Sequence, residues 1–106
     1  MGDTAFETAA EAELNHLADR LEAASDRIEV DFEAGVLTVE LADGRQYLLN
    51  KHGVNREIWL SSPVSGAWHF ASDGSGGWRS TRGGEALRAL LAAEFAGILG
   101  QPVDID

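Results

Sequence analysis

Residues 50–66 read NKHGVNREIWLSSPVSG, and the placing of Trp59 within them decides the fold. If Ile58 and Leu60 point into a core, the two-residue period of a strand sends Trp59 the other way, beside Glu57 and Ser61. The stretch therefore predicts a sheet with one face packed and one face left open, carrying an exposed aromatic. Ser62-Pro63-Val64-Ser65-Gly66 closes the strand with a turn.

Working outward, RIEVDFE (27–33) alternates strictly, with Ile28, Val30 and Phe32 on one side and Arg27, Glu29, Asp31 and Glu33 on the other. After Ala34-Gly35, VLTVEL (36–41) places Leu37, Val39 and Leu41 inside. Asp43-Gly44 predicts a hairpin turn of the primed type into QYLLNK (46–51), since that turn needs residues tolerant of positive φ. AWHFAS (67–72) and GWRS (77–80) are further short strands, with Trp68 and Trp78 expected in the core.

Helices flank this run. Thr4 starts the first, with Glu7 three residues on as its capping-box partner, and it runs to about Ala24. Phe6, Ala10, Leu14, Leu17 and Leu21 make one buried stripe. At about 100° per residue, Glu11, Asn15, Asp19 and Glu22 fall on a separate face with Glu7 at its margin. The second helix spans roughly Glu85 to Leu99, with Leu87, Leu90, Leu91, Phe95 and Leu99 turned inward, and Gly100 and Pro102 stop it. The expected architecture is α+β: a two-layer sandwich with two helices on one face of an antiparallel sheet of about six strands, one domain over 1–106.

Composition narrows the function. The chain has 18 acids against eight Lys and Arg, a net charge of −10, which argues against nucleic-acid and anionic-membrane partners. Residues 1–33 hold ten of the acids (Asp3, Glu7, Glu11, Glu13, Asp19, Glu22, Asp26, Glu29, Asp31 and Glu33) and two bases, a local net of −8. Like charges at helical spacing cost a few tenths of a kcal/mol per pair, so concentrating them works against stability. Such carboxylates, without His or Cys, form a hard, open, oxygen-only set suited to iron or to divalent ions generally. Solubility alone is the competing explanation.

With no cysteine there is no disulfide framework, thiolate metal site or cysteine nucleophile. The acidic N-terminus does not read as a leader, and the apolar run 86–99 contains Arg88 and Glu94, so it is amphipathic rather than membrane-spanning. A cytoplasmic protein is expected. No catalytic constellation is visible: His16, His52 and His69 are scattered, and GSGG (74–77) lies between strands rather than before a helix. Alternation with Trp68 and Phe70 puts His69 on the open face.

The segment NKHGVNREIWLSSPVSGAWHF resembles the central part of frataxins: an Asn-Lys pair, a short turn, an Ile-Trp-Leu strand, Ser-Ser-Pro and a Ser-Gly turn. GVLTVEL looks like the family's preceding strand, and GGWRSTRGGEALRALLAAE is similar to its closing strand and second helix. The resemblance covers essentially the whole chain, whose extent matches the bacterial CyaY type. It implies a non-enzymatic iron-binding protein that docks on the cysteine desulfurase and scaffold protein of iron–sulfur cluster assembly. Glu11, Asp19, Glu22, Asp26 and Glu29 stand at positions of the family's acidic ridge, with Glu7 and Asp31 as further candidate iron ligands. Asn50, Glu57 and Trp59 stand on its sheet surface, and with Asp19 and Glu22 are the candidate partner-binding residues. Asn15 and Ala23 replace acids common in relatives, Arg27 interrupts the acidic side of the first strand, and Gly53-Val54 lacks a proline common there. The alternative is an enzyme, a ferroxidase or iron-storage protein working through the same carboxylates.

Overall fold

A computed structural model describes residues 4–106; Asp3, one of the ten acids counted above, lies outside the described residues. The order is α1 (Thr4–Ala24), β1 (Glu29–Glu33), β2 (Val36–Glu40), β3 (Gln46–His52), β4 (Glu57–Ser62), β5 (Gly66–Ser72), β6 (Trp78–Ser80) and α2 (Leu87–Leu99). The six strands form one antiparallel meander, β1 to β6 in chain order. Hairpin connections are short enough that each strand pairs with the next, so the sheet needs no crossover.

Both helices cover the same face, α1 over β1, β2 and β3 and α2 against β6. The alternation in the strands does this: Leu37, Val39, Tyr47, Leu49, Ile58, Leu60 and Phe70 are buried against Leu14, Leu17, Leu21, Leu87, Leu91 and Phe95. The two-layer expectation holds, and Trp78 is in the core as expected. Trp68 is half-buried at its margin, because its indole nitrogen reaches out to donate to Ser65 Oγ at 2.8 Å.

Local differences from the sequence reading have physical causes. Thr4 is itself helical, and Glu7 lies 3.5 Å from Lys51 Nζ. The two-residue primed turn is at Ala34-Gly35, where both φ are positive (53° and 78°). At Asp43-Gly44 only the glycine has positive φ; Asp43 Oδ1 accepts from Arg45 N at 3.0 Å and Leu41 N bonds Arg45 O, giving a longer loop. The second helix begins at Leu87, not Glu85, because Ser80 N bonds Glu85 O and Arg79 bridges Ala86, holding those residues to β6. Gly100 ends that helix with φ of 70°, as a left-handed cap.

Candidate functional site: an open sheet face beside an acidic helix

Register turns the strand alternation into a surface. Glu33 pairs with Val36, Val36 with Asn50, Asn50 with Trp59 and Trp59 with His69, a single rung crossing five strands on the face away from the helices. One flanking rung carries Asp31, Thr38, Leu48, Ser61 and Ala67, and the other carries His52, Glu57, Ala71 and Arg79. Among the described residues no helix lies over this face, and Val36 and Leu48 stay 37% and 40% exposed on it. Asn50, Glu57 and Trp59, expected there from the sequence, are brought together.

Trp59 is half-buried rather than freely exposed. Its indole lies between two imidazoles, His52 at 3.8 Å between ring centroids and 6° between planes, and His69 at 4.3 Å and 5°. Indole Nε1 donates to Glu57 Oε1 at 2.8 Å, and His69 Nδ1 is 3.6 Å from the same oxygen. Both ring faces are therefore covered and an edge is what remains for contact. Alternation already put His69 on this face, but that His52 and His69 flank Trp59 depends on cross-strand register, which turn length sets and composition does not reveal.

The acids divide into three kinds. Asp19, Glu22, Asp26, Glu29 and Asp31 are exposed, on the outer side of α1, in the following turn and on edge strand β1. Since α1 packs on β1, these carboxylates flank one edge of the molecule, and Glu29, Asp31 and Glu40 line a depression on the open face. Glu7 and Glu11 share Lys51, whose Nζ is 3.5 and 3.3 Å from them; a cation bound there must displace an ammonium group. Glu13, counted with the acidic segment, is buried and receives a bidentate pair from Arg88 at 2.9 and 2.7 Å. That contact raises the Arg88 pKa. Among the described residues no three His, Asp or Glu side chains converge as a metal-holding group. The donor set is hard, dispersed and exposed, chemistry that fits weak, many-valent binding of a hard cation as cargo.

A network behind the open face holds the β4–β5 turn in place. Glu94 of α2 accepts from Tyr47 Oη at 2.7 Å, Ser62 Oγ at 2.7 Å and Ser65 Oγ, while Ser62 Oγ accepts from Val64 N and Ser65 N. Burial, then the Glu94 carboxylate, pushes the Tyr47 hydroxyl pKa up. The Ser-Ser-Pro-Val-Ser-Gly run is thus a turn pinned to a helix, and the strand carrying Trp59 ends in it.

A family model described as a frataxin-like domain matches residues 1–101. The chain belongs to the frataxin family. It is 32% identical over 105 residues to the iron-sulfur cluster assembly protein CyaY of Neisseria meningitidis serogroup B, covering 99% of this chain and 96% of that one. To the mitochondrial frataxin of Caenorhabditis elegans it is 37% identical over 101 residues, covering 89% and 74%. The frataxin of Psychromonas ingrahamii superposes with a TM-score of 0.88 at 20% identity, over 100% of this chain and 99% of that one, a likeness of fold. Trimeric yeast frataxin complexed with ferrous iron superposes with a TM-score of 0.78 at 36% identity, over 88% and 87%. The frataxin fold seen in these neighbours is the helix–sheet–helix arrangement described above. No helix among the described residues is long and apolar enough to cross a membrane.

Proposed function

We propose that this chain is a non-enzymatic, iron-binding component of iron–sulfur cluster assembly that docks on the cysteine desulfurase and its scaffold protein as regulator or iron donor. The relatives named for iron–sulfur cluster assembly support the process, and the yeast protein complexed with ferrous iron supports iron as cargo. The observation that carries the docking reading is the Asn50–Trp59–His69 rung, open on a helix-free face, at whose end Glu33 leads onto the acidic edge. A rigid aromatic set in a polar surround is the usual make-up of a binding hot spot. The exposed carboxylates steer toward a basic surface and hold iron weakly between the partners.

Two measurements test this. In binding to the desulfurase, Trp59→Ala is expected to speed dissociation by an amount equivalent to about 2 kcal/mol while the fold persists; normal binding by the folded variant overturns the assignment. In an NMR titration with ferrous iron, amide signals near Asp19, Glu22 and Glu29 are expected to broaden before those near Arg82, and excess calcium or magnesium is expected to compete. Catalytic oxygen consumption with iron, abolished when Asp19 and Glu22 are replaced by Lys, is the outcome that favours a ferroxidase instead.

A further inference from the structure

We propose that His52 and His69 are positioning residues for Trp59 and form with it a proton-sensitive clamp, making the docking face responsive to pH. The proposal rests on the reading of the open face as a docking surface. It starts from the three-ring stack, in which the indole is flanked within 6° of parallel on both sides. A tryptophan held on both faces has lost its side-chain freedom before any partner arrives, and less remains to be lost on binding. Imidazole is the side chain whose charge changes between about pH 5 and 8, and an imidazolium is drawn to an indole face.

The two imidazoles are not equivalent. His69 Nδ1 lies 3.6 Å from Glu57 Oε1, the oxygen that already accepts from Trp59 Nε1, so a proton there joins all three groups. His52 Nδ1 accepts from Asn55 N at 3.4 Å, and a proton there breaks that contact with the β3–β4 turn. A proton on His69 therefore adds a charge contact with Glu57, whereas one on His52 removes a contact. The other charged groups around the stack are Arg56 in the β3–β4 turn, Arg79 on the flanking rung of β6, and Arg82 and Glu85, which line a depression with His69. Arg79 is tempered by Asp73 at 3.6 Å. With neutral rings the stack carries the single negative charge of Glu57, and one proton on His69 cancels it. A partner with a basic surface is therefore held less tightly as pH falls.

The free protein decides the clamp. In nitrogen-15 spectra, the Trp59 Nε1–H signal, identified by its loss in Trp59→Phe, is expected to move between about pH 5.5 and 8. The movement should shrink in His69→Gln and vanish in the His52→Gln/His69→Gln pair, while His16→Gln leaves it unchanged. Glu57→Gln, which keeps an acceptor for the indole but removes the charge that a proton on His69 would meet, should shrink the movement; a role in packing alone predicts no such change. A pH-independent Trp59 signal, or the same profile with both histidines replaced, overturns the proposal, and His69→Gln alone serves if the pair does not fold. With the desulfurase, wild-type affinity is expected to fall about threefold from pH 8 to pH 6 and the pair to respond less. Equal pH responses in wild type and pair overturn the proposal while leaving docking intact. Absence of binding at either pH overturns the docking reading, and the free-protein profile still decides the clamp.

Discussion

Glu13 and Arg88 show how a single residue can escape a reading by charge. Glu13 belongs to a run of acids in sequence, yet its side chain is 4% exposed and answers a guanidinium that is 35% exposed from the other helix. Breaking a buried pair costs most when it strands the more buried charge. Arg88→Ala, which leaves Glu13 enclosed without its partner, is expected to cost about 3 kcal/mol or more, and Glu13→Gln less, because Arg88 can turn to water. Urea denaturation of the two variants checks the order; equal costs mean the pair is not the reason Glu13 is buried. Trp59 shows the complement. Its direction was legible in the two-residue period, but its two flanking rings were not, since His52 and His69 are 17 residues apart and meet the indole only through register.

Among the elements, strand alternation and the helix stripe were legible because burial has the period of the element that carries it. Turn chemistry was less so: Asp43-Gly44 has the composition of a primed turn, but the Asp43 carboxylate captures Arg45 and builds a different loop. The β5–β6 turn has its own organiser. Asp73 accepts from the Ser75 hydroxyl, from Ser75 N and from Gly77 N, and these bonds, led by the Ser75 hydroxyl, hold its carboxyl down to about 2. A depressed carboxyl contributes stability above its unfolded value, near 3.8, and loses it as pH falls through about 2. Asp73→Asn is therefore expected to flatten the change in melting temperature between about pH 4 and pH 2 relative to wild type, and an unchanged slope removes Asp73 from the account. At Gly77 an added Cβ would lie 2.6 Å from Asp73 Oδ2, so glycine is what lets the turn close on its carboxylate. In α1 the salt response has two parts: screening relieves repulsion among the exposed acids and weakens the contacts of Glu7 and Glu11 with Lys51. Asp19 and Glu22 stand three positions apart on the same helix, and Arg20 between them donates instead to the Asp106 carbonyl at 3.1 Å. Melting temperature is expected to rise from low to moderate salt, and Glu22→Lys to raise it further while weakening metal binding; indifference to both means the acidic face carries no strain.

For the whole molecule, the question is how far the acidic field reaches and what it does. Residues 1–33 carry a net −8 in sequence, but Arg88 answers Glu13 and Lys51 answers Glu7 and Glu11 from outside the segment. What is left to act at a distance is the exposed set at the α1–β1 edge, beside rather than on the Trp59 rung. Charges at the margin of an interface set the encounter rate and its salt dependence, whereas a held aromatic sets how slowly the complex separates. Reversing Asp19 and Glu22 to Lys is expected to lower the association rate with the desulfurase and to flatten its dependence on salt. Trp59→Ala should leave association nearly unchanged and speed dissociation. Because Asp19 and Glu22 lie on α1 and Trp59 on the sheet face turned away from it, the two effects should multiply in the combined variant, each appearing in its own rate constant. Stopped-flow kinetics at two salt concentrations reads both. If reversal of the acids instead speeds dissociation with association unchanged, those carboxylates are contact residues, and the partner wraps the edge of the sheet instead of docking on its face.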